Sequence, residues 1–137
     1  MKDAADYLAH IKALVVLNSQ VVHWVVVREE AQGDTGLFRY RLTLRDGGLL
    51  EMFEHFQVVE EKLQVIKYSF HWQDASGRLQ KRWDNAAHHS EVSTHPHHVH
   101  DGVETNVLPH GPVDAKEVLD MIAAEATDIT PPEPDRT

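Results

Sequence analysis

The chain has 137 residues, a formal net charge of −9 and no cysteine, a length that suits one domain with a modest core. Without cysteine there are no disulfides, no Cys-ligated zinc and no thiol nucleophile, which fits a cytoplasmic protein. No apolar run approaches the roughly 20 residues of a bilayer span, and the start, Met1-Lys2-Asp3-Ala4, has an early acid and lacks the apolar core of an export signal.

The acidic balance argues against a protein that simply coats nucleic acid. It is unevenly spread, however: residues 101–137 hold nine acids against Lys116 and Arg136, so they carry −7 of the −9. Residues 62–84 carry +3, which leaves room for a locally basic sheet face.

In chain order, Tyr7, Leu8, Ile11, Leu14 and Val15 recur at helical spacing and predict a short amphipathic helix over residues 6–18. Residues 21–28 are β-branched and read as a strand, with residues 29–36 as its loop. Phe38, Tyr40, Leu42 and Leu44 alternate with polar residues, and after Asp46-Gly47-Gly48 the alternation resumes at Leu50, Met52 and Phe56. A three-residue loop would pair Leu42 with Met52 and Phe38 with Phe56, leaving Glu54 opposite Tyr40 on the apolar face. Such a carboxylate is either an acid with a raised pKa or one hydrogen-bonded to Tyr40 or His55, and the second reading is preferred.

Residues 63–73 form the next strand, with Ile66, Tyr68, Phe70 and Trp72 on one side and Lys67, Ser69 and His71 on the other. A turn at Asp74-Ala75-Ser76-Gly77 returns the chain along residues 79–84, placing Tyr68 beside Trp83, Ser69 beside Arg82 and Lys67 beside Asp84. Trp72 and Trp83 read as core. Residues 85–112 have no useful periodicity and read as an irregular loop. Asp114-x-x-Glu117 resembles a capping box ahead of Val118, Leu119, Met121 and Ile122 on one helical face. The expected fold class is α+β, an antiparallel meander of about five strands flanked by an N-terminal and a C-terminal helix, with a His-rich loop. Residues 1–126 are the expected domain and residues 127–137 a disordered tail.

Six of the eleven histidines lie within residues 87–101: His88, His89, His95, His97, His98 and His100. Imidazole serves where a proton moves near neutral pH or a neutral nitrogen binds a metal. Phosphodiester cleavage without metal needs a base for the 2′-hydroxyl, an acid for the leaving oxygen and cations for the phosphate. The residues selected for it are His71, His88, His97 and His98 as acid/base groups, Asp84 as an orienting carboxylate, and Arg82 with Lys81 for phosphate. That chemistry uses no cofactor. The alternative is zinc or another divalent metal on His95, His97, His98 and His100; the separations of His95 from His100 and of His89 from His95 are ones zinc ligands use, although spacing is cheap in a His-rich loop.

Taken together, Tyr68-x-x-His71-Trp72-Gln73, Arg82-Trp83-Asp84-Asn85-Ala86-x-His88-His89 and Thr94-His95-Pro96-His97-His98-x-His100 resemble the TumE family of small prokaryotic proteins. So does the upstream run Tyr40-Arg41-Leu42-Thr43-Leu44-x-Asp46-Gly47 with Glu51-x-Phe53-Glu54. Ala87 stands where the family pattern has proline, and His95 where it has an aromatic, which moves weight to His97, His98 and His100. The resemblance implies the toxin of a toxin–antitoxin pair, with a cognate antitoxin, expected to be a helix-turn-helix protein encoded beside it. RNA is the expected substrate by analogy with small toxins generally; the alternatives are a His-rich metal-binding module or a non-catalytic interaction protein neutralised by the antitoxin.

Overall fold

The computed structural model describes residues 1–128. The elements in chain order are α1 (Ala4–Leu17), β1 (Val21–Gln32), β2 (Thr35–Leu44), β3 (Leu49–Val59), β4 (Lys62–Gln73), β5 (Leu79–Asp84), β6 (His98–Asp101), β7 (Val107–Pro109) and α2 (Ala115–Asp128). All seven strands form one antiparallel sheet in sequence order. The α+β meander and its two flanking helices are as expected. The extra strands, β6 and β7, come from residues that read as loop, because three or four residues are too few to display a period. Of the tail expected over residues 127–137, the first two residues close α2 and residues 129–137 lie outside the described residues.

One face of the sheet is apolar and both helices cover it. Phe38, Tyr40 and Leu42 of β2, Leu50, Met52 and Phe56 of β3, Phe70 of β4 and Trp83 of β5 share one core with Ile11 and Val15 of α1 and Val118 and Ile122 of α2. Each helix starts on an aspartate: Asp3 accepts from Asp6 N–H at 2.9 Å and Asp114 from Glu117 N–H at 2.9 Å, satisfying N–H groups that lack partners in the first turn. At the other end of α1, Asn18 donates from Nδ2 to the Leu119 carbonyl and so ties the helices together.

The strand faces match the sequence reading, but two registers differ by two residues. Leu42 faces Leu50 and Tyr40 faces Met52, and Phe70 faces Trp83 and His71 faces Arg82. A two-residue slip preserves every side chain's face, so the apolar pattern could not detect it. The expected loop over residues 29–36 is instead the end of β1, a two-residue turn and the start of β2. Gly36 sits opposite Phe56, and a Cβ there would lie 2.7 Å from the phenyl ring; only glycine lets the ring cross the strand. Ile66, expected inward, is exposed because β4 bulges between its pairings with His55 and Phe56. Two further irregularities kink β1, the first strand of the sheet, which suits an edge that must not pair with strangers.

Glu54 lies opposite Phe38 and Tyr68 and is wholly buried. Its partners are neither Tyr40 nor His55. Oε1 accepts from the Tyr7 hydroxyl of α1 and Oε2 from the Ala115 N–H that opens α2. Burial lifts its carboxyl to about 7, with Asp114 adding to the rise and the two hydrogen bonds opposing it.

Candidate functional site

The candidate residues gather on the face turned away from the helices. Along β5, Trp83 points into the core, so Arg82 and Asp84 point outward. β6 repeats the pattern with Val99 inward and His98 and His100 outward, and the register sets Asp84 against His98 and Arg82 against His100. On the other side of β5, Ser69 faces Asp84 and His71 faces Arg82.

The loop over residues 85–97 folds over the ends of these strands and buries what it covers. His98 is 1% exposed, His100 6% and Asp84 5%, so none is a freely solvated surface group. Asp84 sits at the centre. Its Oδ1 is 3.0 Å from His98 Nε2 and accepts from Ala86 N–H at 3.0 Å, while Oδ2 is 3.7 Å from His100 Nε2 and 3.5 Å from Arg82 Nε. Arg82 Nε is buried and makes no hydrogen bond; its terminal nitrogen reaches Glu104 at 3.2 Å. His89 closes the group from the loop, its ring 4.9 Å from that of His98 and 5.5 Å from that of His100.

These residues line a cavity of about 410 Å³. Arg39, Lys67 and Arg82 bring three cations to its wall, Ser69 a hydroxyl, and His88 an exposed imidazole. Arg39 is held over the Phe53 ring, 4.7 Å from its centroid, and by Glu51 at 2.6 Å. Burial acts to raise Glu51, but Arg39 and Arg41 outweigh it and keep its carboxyl below the usual range. Lys67 makes no ion pair with any described residue and lines the same cavity.

The residues selected from sequence separate into three places. Arg82, Asp84, His88 and His98 meet at the cavity. His71 lies beyond Arg82, bonded to Gln73 at 3.0 Å, in a shallower neighbouring recess with Glu51 and Ser69. His97 and Lys81 lie elsewhere. His97 stacks on Tyr68, whose hydroxyl is 2.9 Å from its Nδ1; burial, and then His98, hold its imidazole below the usual range. Lys81 is in register between Trp72 and Asp101, on the opposite face to Arg82, because adjacent strand residues cannot share a face. The metal-ligand set read from spacing is also rearranged. His98 and His100 converge, His95 is exposed with Nδ1 3.3 Å from the His89 carbonyl, and His89 takes the place given to His95 and His97. The missed signal was His98-Val99-His100: read as a strand, it puts both imidazoles on one face. Nothing local distinguishes His89 from His88.

The chain is thus a small α+β domain with a helix-covered core and a histidine–carboxylate cluster under a cationic cavity on the outer face of its sheet. The family model described as Toxin TumE matches residues 11–130, and the chain belongs to that family. No curated protein and no solved structure matches it. No helix among the described residues is long and apolar enough to cross a membrane.

Proposed function

We propose that this toxin arrests growth by cleaving RNA at the outer-face cavity. The observation that carries the reading is the convergence of Arg39, Lys67 and Arg82 with the Asp84–His98–His100 cluster around one opening. Cleaving an RNA phosphodiester needs cations for the phosphate oxygens, a base for the attacking 2′-hydroxyl and an acid for the leaving 5′-oxygen, and the cavity offers both cations and imidazoles. In the reaction the 2′-oxygen attacks the neighbouring phosphorus and the bond to the 5′-oxygen breaks. The products are a 2′,3′-cyclic phosphate and a 5′-hydroxyl. His88, exposed on the wall, takes the proton of the 2′-hydroxyl, and the buried cluster supplies one to the leaving 5′-oxygen. Arg82 and Lys67 hold the phosphate. His71, beside Arg82 on the neighbouring strand β4, flanks the path of the chain.

A toxin family implies an antitoxin partner; we assign it to a helix-turn-helix protein encoded next to the toxin, the pair acting in the cytoplasm. Inducible expression with and without the neighbouring gene, followed by mapping of RNA ends, tests the reading. Growth arrest accompanied by new 5′-hydroxyl ends, both suppressed by the neighbour, is expected. Arrest with intact RNA overturns the nuclease and leaves the family assignment untouched.

A further inference from the structure

We infer that His89, His98 and His100 form a binding site for one divalent cation of the zinc type, with Asp84 as the fourth ligand. One ligand nitrogen from each of the three histidines lies within 4.8 Å of the others. Their rings meet edge to face, with His98 and His100 centroids 5.0 Å apart.

The second observation is what the other ring nitrogens do. His98 Nδ1 lies 2.9 Å from the Pro96 carbonyl, His100 Nδ1 2.8 Å from the Glu104 carbonyl, and His89 Nδ1 3.0 Å from Glu91 Oε1. Each of these oxygens accepts only, so each Nδ1 carries its proton and donates. That fixes the lone pair of every neutral ring on Nε2. Histidines that ligate metals show this arrangement, with the remote N–H held by a carbonyl or carboxylate.

Besides the Arg82 guanidinium, whose Nε is 3.5 Å from Oδ2, the Asp84 carboxylate faces both imidazole Nε2 atoms. Two Nε2 lone pairs facing one carboxylate at 3.0 and 3.7 Å repel it. A cation between them satisfies all contacts at once. Tetrahedral zinc with bonds of 2.0–2.1 Å holds its ligand atoms about 3.3 Å apart, between the two separations observed. Nitrogen and carboxylate donors without sulfur suit zinc, cobalt or nickel rather than copper(I).

The site lies under the cavity assigned to RNA, but its existence does not rest on that reading. If RNA cleavage depends on it, the cation would occupy the Nε2 atoms from which the cluster otherwise donates its proton, and a water bound to the cation would supply that proton to the 5′-oxygen instead, leaving His88 as the free imidazole on the wall.

The test uses the full chain purified without an affinity tag. After chelation and dialysis, zinc is titrated calorimetrically and cobalt is followed by its visible absorption. We expect one equivalent of either metal and an intense tetrahedral cobalt spectrum. His89→Ala, on the half-exposed loop, and His98→Ala should each weaken binding by at least about tenfold, the smaller loss seen when only a ligand's supporting partner is removed, whereas the exposed His95→Ala should not. If His98→Ala fails to fold, His89→Ala carries the comparison alone. Absence of stoichiometric binding, or binding that His89→Ala leaves unchanged, overturns the site. Metal bound without RNA cleavage sinks the nuclease and keeps the site; RNA cleaved at full rate by chelated protein with no metal uptake does the reverse.

Discussion

At the scale of single residues, the outer face is poised by opposed charges. Arg82 is shared between buried Asp84 and exposed Glu104, so a phosphate arriving at the cavity must displace Glu104, not Asp84. An exposed ion pair of that kind is worth at most about 1 kcal/mol, which equals a factor of about five in affinity. Glu104→Gln should therefore tighten RNA binding by up to about fivefold, and its main-chain carbonyl would still hold His100. Arg82→Ala should weaken binding by roughly tenfold or more, the loss expected for about 1.5 kcal/mol of charged hydrogen bonding. Fluorescence anisotropy with a labelled single-stranded oligonucleotide reads both. Equal and parallel effects of the two changes would show that Arg82 is structural. The sequence revealed Arg82 and Asp84 as a pair worth attention, but could not reveal Glu104, which reaches Arg82 only because β6 and β7 form a hairpin within the apparent loop.

At the scale of elements, Glu54 couples three of them: it sits on β3, accepts from Tyr7 on α1 and caps the start of α2. Folding moves its pKa from the ordinary 4.5 to about 7. Between those values the folded protein holds a proton that the unfolded chain has lost. This contribution is thus fully present below about 4.5, and it fades as pH rises through 7, by about 3 kcal/mol in all. Glu54→Gln mimics the protonated group, with its amide donating to the Tyr7 oxygen and its carbonyl accepting from Ala115. Denaturant titrations at pH 5 and pH 8 should show the wild type losing more stability than Glu54→Gln by most of that amount; parallel curves would place the titration elsewhere.

The turn between β3 and β4 offers a second test. Glu60 and Glu61 both adopt left-handed backbone, with φ of 52° and 65°, where a type I′ turn favours Asn-Gly. Each non-glycine residue there costs about 1 kcal/mol. Replacing the pair by Asn-Gly should raise the urea midpoint by an equivalent of about 1–2 kcal/mol, with no change in m-value, and the proposal fails if the midpoint stays or falls.

These elements also show what the sequence carries. The apolar alternation of β2, β3 and β4 declares which side chains face the helices. It is silent about registers that differ by two residues and about the bulge that turns Ile66 outward. Glu54 was visible as an anomaly on an apolar face. Its partners were not, since both come from helices remote in the chain.

For the whole molecule, the sheet separates charge. The helical side is acidic, with Asp114 and α2 holding five acids against Lys116. The cavity wall presents Arg39, Lys67 and Arg82. The net charge of −9 therefore need not prevent RNA binding, because at physiological salt the screening length is about 8 Å and α2 lies across the sheet from the cavity. Single-stranded nucleic acid releases about 0.7 counterion per phosphate neutralised. Three cations at the wall then predict a log–log salt slope of roughly −2. Arg82→Ala should flatten it by about 0.7. Deleting residues 127–137 removes a net charge of only −2 and should leave the slope unchanged. A slope near zero would mean that these side chains do not meet phosphates. A slope steepened by the deletion would mean that the tail, rather than Glu104, competes with RNA for the cationic face.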